Sequence, residues 1–584
     1  MTARRKGKGP GRKPSHPSST VKGRPRLVFG IAAVVCFALS AFFYRHPHHL
    51  QSLSRFIRDP LPTPERQVLC PQVEAILPSS DENRRIDRLL DDVYNEGKFK
   101  LEVYEKLGGS VRVPTESYDD FLPVGQDARW DVFADLHAYL EAQFPMVYSS
   151  LKVTKINTYG LVFHWEGSDP PSSKKPILLA AHQDVVPIDG NTIDQWIHPP
   201  YSGHFDGTWI WGRGSADDKA DLISQLVAIE SLLKVGFVPR RTIVLAFGID
   251  EEAAGTEGAG KLALYLEQTY GRNGFAVLLD EGEGYGSNAP EDGTIYAMPG
   301  ISEKGYIDVK IEVLTSGGHS SVPPEHTAIG LLSLMVVELE KHPHKTKFVS
   351  SGAGLANALC TVAYGDPEKY NEELKRLGHR ASEQPDGKSL EEFRRRLVRV
   401  DPFFNVLLKT TQAVDIVWGG IKINALPEVA VAVVNHRIAE HSSPRAVQEH
   451  ITDLVLPVAK EYNLSLSAFG VNASEGFAGR VVLSDAFYSA LEPSPVTPVT
   501  NSGPYDLLSG TIKSTLQTSS RYTADDVVIV PSLGLGNTDT RFYWNLTEHI
   551  FRYSHRGDKD DLFNGLHTVN EGGFFGVVRI PVEI

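Results

Sequence analysis

ILLAAHQD (177–184), TIVLAFGIDEE (242–252) and FAVLLDE (275–281) are three short apolar runs, each ending on acidic residues and the first also on a histidine. Runs of this length, rich in branched apolar residues, predict buried strands. Between the first two, GRGSADDKA (212–220) places Asp217 and Asp218 in a Gly-containing turn before a predicted helix from about 220 to 234. Side chains at the carboxyl ends of neighbouring strands in an open α/β sheet converge on one crevice. His182, Asp184, Asp217, Glu251, Glu252, Asp280 and Glu281 are therefore expected to meet, and so many carboxylates require a cation.

Strands alternating with helices predict an α/β catalytic domain with a mostly parallel sheet and helices on both faces. Its first part is placed at 121–300, with a helix over 130–144 and a strand-like LKVTKINTYGLVFHWEG (151–167). After Tyr296 the pattern changes. GYIDVKIEVLT (305–315) alternates with period two, and further strands and helices, with a charged region at 366–399, predict an inserted α+β lid or dimerisation domain over 301–480. The first pattern returns over 481–584. Residues 45–120 are expected to be a stalk and an N-terminal extension, with a helix from about 81 to 107.

Residues 1–26 carry nine basic residues and no acid, a basic cytosolic tail. LVFGIAAVVCFALSAFFY (27–44) is uninterrupted and apolar, and at 1.5 Å per residue spans roughly 27 Å, enough for a transmembrane helix. The positive-inside rule keeps the tail cytosolic, giving a single-pass type II signal anchor with a lumenal catalytic domain; a signal peptide cleaved near ALSA is the alternative. With nine of the 59 basic residues in the tail, the remainder carries a net charge of −22 against 72 acids, which argues against nucleic acid as a partner. Sequons at Asn463, Asn472 and Asn545 offer glycosylation sites in a lumen. Beyond the anchor lie Cys70 and Cys360, readable as a disulfide or as two unpaired thiols.

Zinc accepts imidazole nitrogen and carboxylate oxygen, and separated carboxylate clusters suffice for two ions sharing one bridging carboxylate. Consecutive Glu251 and Glu252 leave a strand in different directions, so one can hold metal while the other moves a proton. Asp184, two residues after His182, can orient the imidazole. Each fragment alone is equally an ordinary solvated turn or a charge cluster at a helix start; their joint placement at strand ends is what points to a site.

AHQDVVP, GRGSADDK, DEEAAGTEGA, LLDEG, GGHSS and LHTVNE, in this order, resemble the di-zinc metallopeptidase superfamily of aminoacylase and glutamate carboxypeptidase type. With the anchor, long N-terminal extension and YGRNG (270–274), the chain looks most like the fungal vacuolar carboxypeptidase S branch. The resemblance implies two zinc ions held by His182, Asp217, Glu252 and His567, with Asp217 bridging and either Asp280 or Glu281 completing the set. It implies Glu251 as general acid/base, Asp184 supporting His182, and His319 stabilising an oxyanion, often across a dimer. Asn424 and Arg437 match substrate contacts, and Asp539 and Arg541 fall near a segment that lines the site in relatives. The expected activity is hydrolysis of a C-terminal peptide bond, most plausibly in the vacuole, with the secretory pathway or cell surface also compatible. An N-acyl amino acid hydrolase or synthase is the alternative within the same chemistry, and a non-catalytic binding protein on the same fold the remote one. Either enzyme substrate carries a free carboxylate.

Overall fold

The stretch 151–167 folds as a hairpin in which β1 (Lys152–Ile156) and β2 (Gly160–Trp165) pair antiparallel. Asn157 and Thr158 between them take φ of 45° and 69°, the left-handed backbone that tight turns use. The three opening apolar runs become β3 (Ile177–His182), β4 (Ile243–Gly248) and β5 (Val277–Asp280), with β3 parallel to both others. With β6 (Gly300–Glu303), β13 (Ser532–Gly534) and β14 (Ile550–Arg552) they complete an eight-stranded sheet ordered β1-β2-β4-β3-β5-β14-β6-β13. β4, β3, β5 and β14 run parallel at its centre.

This computed structural model describes residues 68–170, 174–286, 294–518, 526–557 and 565–573. The chain divides into units Met1–Val68 and Leu69–Ile584. The predicted tail at 1–26 and anchor at 27–44 lie outside the described residues. Among the described residues no helix is long and apolar enough to cross a membrane.

All six residues of β4 are buried, as a strand covered on both faces requires. Leu245 and Phe247 pack with Leu222 and Leu226 of α4 (Lys219–Lys234), while Val244 and Ala246 pack with Leu262 and Leu266 of α5 (Ala259–Tyr270). The predicted 81–107 helix is two, α1 (Asp81–Asn95) and α2 (Gly97–Val111), divided at Glu96, whose ψ of 127° is extended. The predicted 130–144 helix is observed as α3 (Val132–Gln143).

A second, six-stranded sheet takes β7 (Gly305–Thr315), β8 (Thr411–Gly419), β9 (Val429–Ile438), β10 (Leu464–Ala468), β11 (Val471–Ser474) and β12 (Gly479–Asp485), ordered β8-β9-β7-β12-β10-β11. The period-two pattern of β7 turns Ile307, Val309, Ile311 and Val313 onto α6 (Ala328–Lys341) and α10 (Pro444–Glu461). The charged region at 366–399 is helical and belongs elsewhere. α7 (Ala353–Tyr364), α8 (Glu372–Glu383) and α9 (Gly387–Val400) place Val362, Leu377 and Phe393 in one core with Phe551 of the first sheet. Their acids and bases are the solvent faces of amphipathic helices. Cys70 and Cys360 form a disulfide, which ties the segment before α1 to α7.

Candidate metal centre and cleft

His182 is the last residue of β3, and the chain continues directly into Asp184. Asp184 is buried with every approach filled. Its Oδ2 accepts from Ser117 Oγ at 2.6 Å and from the Glu252 N–H at 3.1 Å, and its Oδ1 from the Glu251 N–H at 3.1 Å. His182 Nδ1 lies 3.2 Å from Oδ1. Burial alone would raise this carboxyl, but the bonds from His182 and Ser117 hold it below the ordinary range. One carboxylate thus aims the imidazole and fixes the start of the loop carrying Glu251 and Glu252. Ser117 comes from the N-terminal extension, whose backbone also pairs with Val185, and no motif marks that role.

His182 Nε2 stands 3.2 Å from Asp217 Oδ1 and 3.7 Å from Glu281 Oε1. From the other end of the chain, His567 Nε2 lies 3.2 Å from Asp217 Oδ2 and 3.0 Å from Glu252 Oε1. Asp217 therefore presents one oxygen to each imidazole. Donor atoms of His182, Asp217 and Glu252 lie within 4.8 Å of one another, as do those of His182, Asp218 and Glu281. Glu281 enters a donor group, while Asp280, which faces the other way because successive strand residues alternate, does not. Asp218, in the same turn as Asp217, both enters a group and accepts the His182 N–H at 3.2 Å.

The charge balance fits a cation. Desolvation pushes Glu281 up to about 8, with the Asp217 charge adding to it. Glu251 and Asp218 rise well above the carboxylate range for the same cause, and Glu252 rises too. Asp217 is held low against burial by its two imidazoles. Hydrogen bonds to Asp217 and Glu252 push His567 up to about 10. The protein alone thus neutralises these acids with protons, and imidazole with carboxylate is the donor set of a zinc pair.

The turn carrying Asp217 is braced by a residue that the sequence reading quoted but left without a role. Glu571 is fully buried and accepts from the N–H groups of Gly214 (3.0 Å) and Ala216 (3.2 Å) and from Arg213 Nη1 (2.5 Å). Gly214 takes φ of 84°, and a Cβ there would meet Val185. Lys219 at the start of α4 is also buried, its Nζ donating to the carbonyls of Ser110 (2.9 Å) and Val113 (2.6 Å). Desolvation lowers it to about 7. The N-terminal extension is therefore clamped to the helix that follows the metal turn.

A cleft of about 600 Å³ opens over the centre. Asp217, Glu251, Glu252, Glu281 and His567 line it together with Tyr306, Arg437, Arg541, Arg552 and Arg556. Arg552 is neutralised by Glu303 at 2.9 Å. Arg437 instead faces neutral groups, Asn537 Oδ1 at 3.3 Å and the Tyr306 ring. Arg541 donates to the Ala254 carbonyl at 2.5 Å. Asp539 is buried beneath, with neither carboxyl oxygen hydrogen-bonded.

His319 and Asn424 do not line the cleft of their own chain. They sit together on an exposed ribbon formed by Gly318–His319 and Ala425–Leu426, with the Ser320 N–H donating to the Asn424 carbonyl at 3.2 Å. Asn463, Asn472 and Asn545 are all exposed.

The profile of peptidase family M20/M25/M40 matches residues 178–571. The chain belongs to this family. It is 36% identical over 556 residues to carboxypeptidase S of Saccharomyces cerevisiae, covering 93% of this chain and 92% of that one. It is 30% identical to the mouse N-fatty-acyl-amino acid synthase/hydrolase PM20D1, covering 85% and 88% respectively. Human carnosine dipeptidase 1 shares the fold, with a TM-score of 0.53 at 14% identity over 85% of this chain and 96% of that one. The matched span contains every residue of the two donor groups.

Proposed function

We propose that this M20 peptidase is a two-metal carboxypeptidase of the carboxypeptidase S kind, releasing the C-terminal residue of peptides. The observation that carries the reading is one cleft lined by His567, several carboxyls and Arg437, which has no carboxylate partner among the described residues, with the buried His182 against Asp217. Arginine is suited to bidentate capture of a carboxylate, which a peptide C-terminus presents.

His182 with Glu281, and His567 with Glu252, would each hold one zinc ion, with Asp217 between them. The ions would supply Lewis-acid activation of the attacking water and of the scissile carbonyl. Glu251, raised by desolvation, is suited to take the proton from the attacking water and return it to the leaving nitrogen. Asp184 holds His182 and the Glu251 backbone in register. His319, exposed on its ribbon, would stabilise the oxyanion of a second subunit's cleft, with Asn424 beside it. The exposed edge strand β8, with Val417 and Trp418 outward, favours such a homodimer.

The same site supports N-acyl amino acid hydrolysis or synthesis as the second reading, favoured by the similarity to the fatty-acyl amino acid enzyme. Both substrates present a carboxylate to Arg437. We also infer a type II anchor at 27–44, a lumenal and most plausibly vacuolar site of action, and glycans on the three exposed sequons. An N-blocked dipeptide, its C-terminal amide and an N-fatty-acyl amino acid separate the readings. Release of the C-terminal amino acid from the first, none from the amide and slower turnover of the third is expected. Preferential turnover of the fatty-acyl compound overturns the carboxypeptidase reading in favour of the second.

A further inference from the structure

On the reverse face of the first sheet, under α11 (Gly503–Thr518), lies a cavity of about 140 Å³. Phe551, Tyr553 and His555 line it, whereas Arg552 and Arg556 between and after them line the cleft, so the strand separates the two spaces. Its walls are apolar, with Leu179 and Leu279 from the sheet opposite Leu508 and Ile512 of α11.

Three polar side chains interrupt this lining: Asp221, Gln225 and Asp280. Asp221 is engaged, accepting from Ser554 Oγ at 2.5 Å. Gln225 donates its Nε2 to the Ala180 carbonyl at 2.8 Å, which leaves its Oε1 buried without a partner. Asp280 Oδ2 is also buried without a partner. Asp280 is only 4% exposed. Two orphaned acceptors carry a desolvation cost that a ligand donor would remove.

We propose that this cavity binds a small amphiphile, an alkyl or aryl group of about six carbons ending in one amine or hydroxyl. The size follows from comparison with an engineered apolar cavity of about 150 Å³ that holds benzene. The head group follows from the acceptors, since both orphaned atoms need a donor. A carboxylate head brings acceptors and no donor, and so would leave both orphaned atoms unpaired. The site is distinct from the substrate cleft and independent of which substrate the enzyme takes.

The test is calorimetry and thermal denaturation of the full metal-loaded chain with n-hexylamine, n-hexanol and hexanoate. The amine and the alcohol should bind and raise the melting temperature by about 2–4 °C at a hundredfold excess over Kd. Hexanoate should bind at least about tenfold more weakly. Leu508→Trp, which fills the cavity, should abolish both shifts with peptidase activity intact. Should that variant fail to fold, Thr511→Leu adds bulk to the same wall and should weaken both. Binding of hexanoate equal to the amine, binding untouched by the filling variant that folds, or no binding of any probe overturns the proposal.

Discussion

The proton-transfer role proposed for Glu251 rests on geometry that separates it from its neighbour. Glu252 Oε1 is engaged by His567 at 3.0 Å, while Glu251 lines the cleft without entering either donor group. Glu251→Gln keeps shape and removes the base, so kcat should fall by about 10²–10⁴-fold with metal content unchanged. Metal analysis beside a rate assay checks this, and loss of metal in step with activity would make Glu251 a ligand instead. In the metal-free protein Glu281 sits at about 8 and His567 at about 10, so both hold protons at pH 7. Both must lose them to bind a cation. Zinc binding should therefore release protons and tighten as pH rises from 6 to 8; titration calorimetry in buffers of different ionisation enthalpy measures the release. Among the described residues no carboxylate pairs with Arg437, and Arg437→Ala should raise KM for a carboxylate substrate by roughly 10–100-fold while leaving kcat within a few-fold. An equal loss on a C-terminal amide would show that it does not read the carboxylate.

Among the elements, the α+β unit holds a cluster that the site does not use. His344, next to the end of α6, packs tilted against His450 of α10 with centroids 4.3 Å apart and meets His436 of β9 edge-on at 5.8 Å. Desolvation keeps His344 at about 3 and His436 at about 4, with neighbouring His450, His441 and Lys409 acting in the same direction on His344. Imidazoles depressed in the folded state are neutral there while the unfolded chain takes up protons near 6.5. Stability is therefore complete above about pH 6.5 and falls as pH drops toward 4. The cost should reach about 2–4 kcal/mol, discounted because His344 is only partly buried. Urea midpoints at pH 7.5 and 5.0 should differ, and His344→Phe with His436→Phe should shrink the difference. The same scale shows what a sequence can yield. β3, β4, β5 and β7 were legible because their patterns encode burial on two faces or one, and His182, Glu252 and Glu281 were legible because they follow those runs, whereas His567 entered only through the resemblance. The 151–167 hairpin was less so, since its turn rests on φ values at Asn157 and Thr158 that no period reveals. Helices α8 and α9 read as a charged insertion because only their outer faces are polar. Ser117, Lys219 and Glu571 stayed hidden because their partners lie more than sixty residues away in the chain.

At the scale of the molecule the site is assembled from the whole chain: Ser117 steadies Asp184, the strands supply the acids, and His567 arrives from near the C-terminus. What keeps the first of these pieces in place is partly covalent. Cys70 and Cys360 are 290 residues apart in sequence, both nearly buried, and neither lines the cleft. The bridge fastens the segment leading into α1 and α2 to α7, in a core shared with Val528 and Val530 beside the first sheet. A link across so long a loop removes much of the unfolded chain's freedom, with a loop-closure estimate of about 5–6 kcal/mol and typical measured values nearer 2–4. Such a bond persists in an oxidising compartment, which agrees with the proposed lumenal setting. The double substitution Cys70→Ala and Cys360→Ala should therefore lower unfolding free energy by about 2–4 kcal/mol while leaving kcat at 25 °C within twofold, because the cleft residues are untouched. Denaturant titration and a peptidase assay on the same preparation check both halves. Unchanged stability would mean that packing of the N-terminal extension, through Lys219 and Ser117, holds it without the bond. Lost activity at full stability would mean that the bridge positions the centre itself.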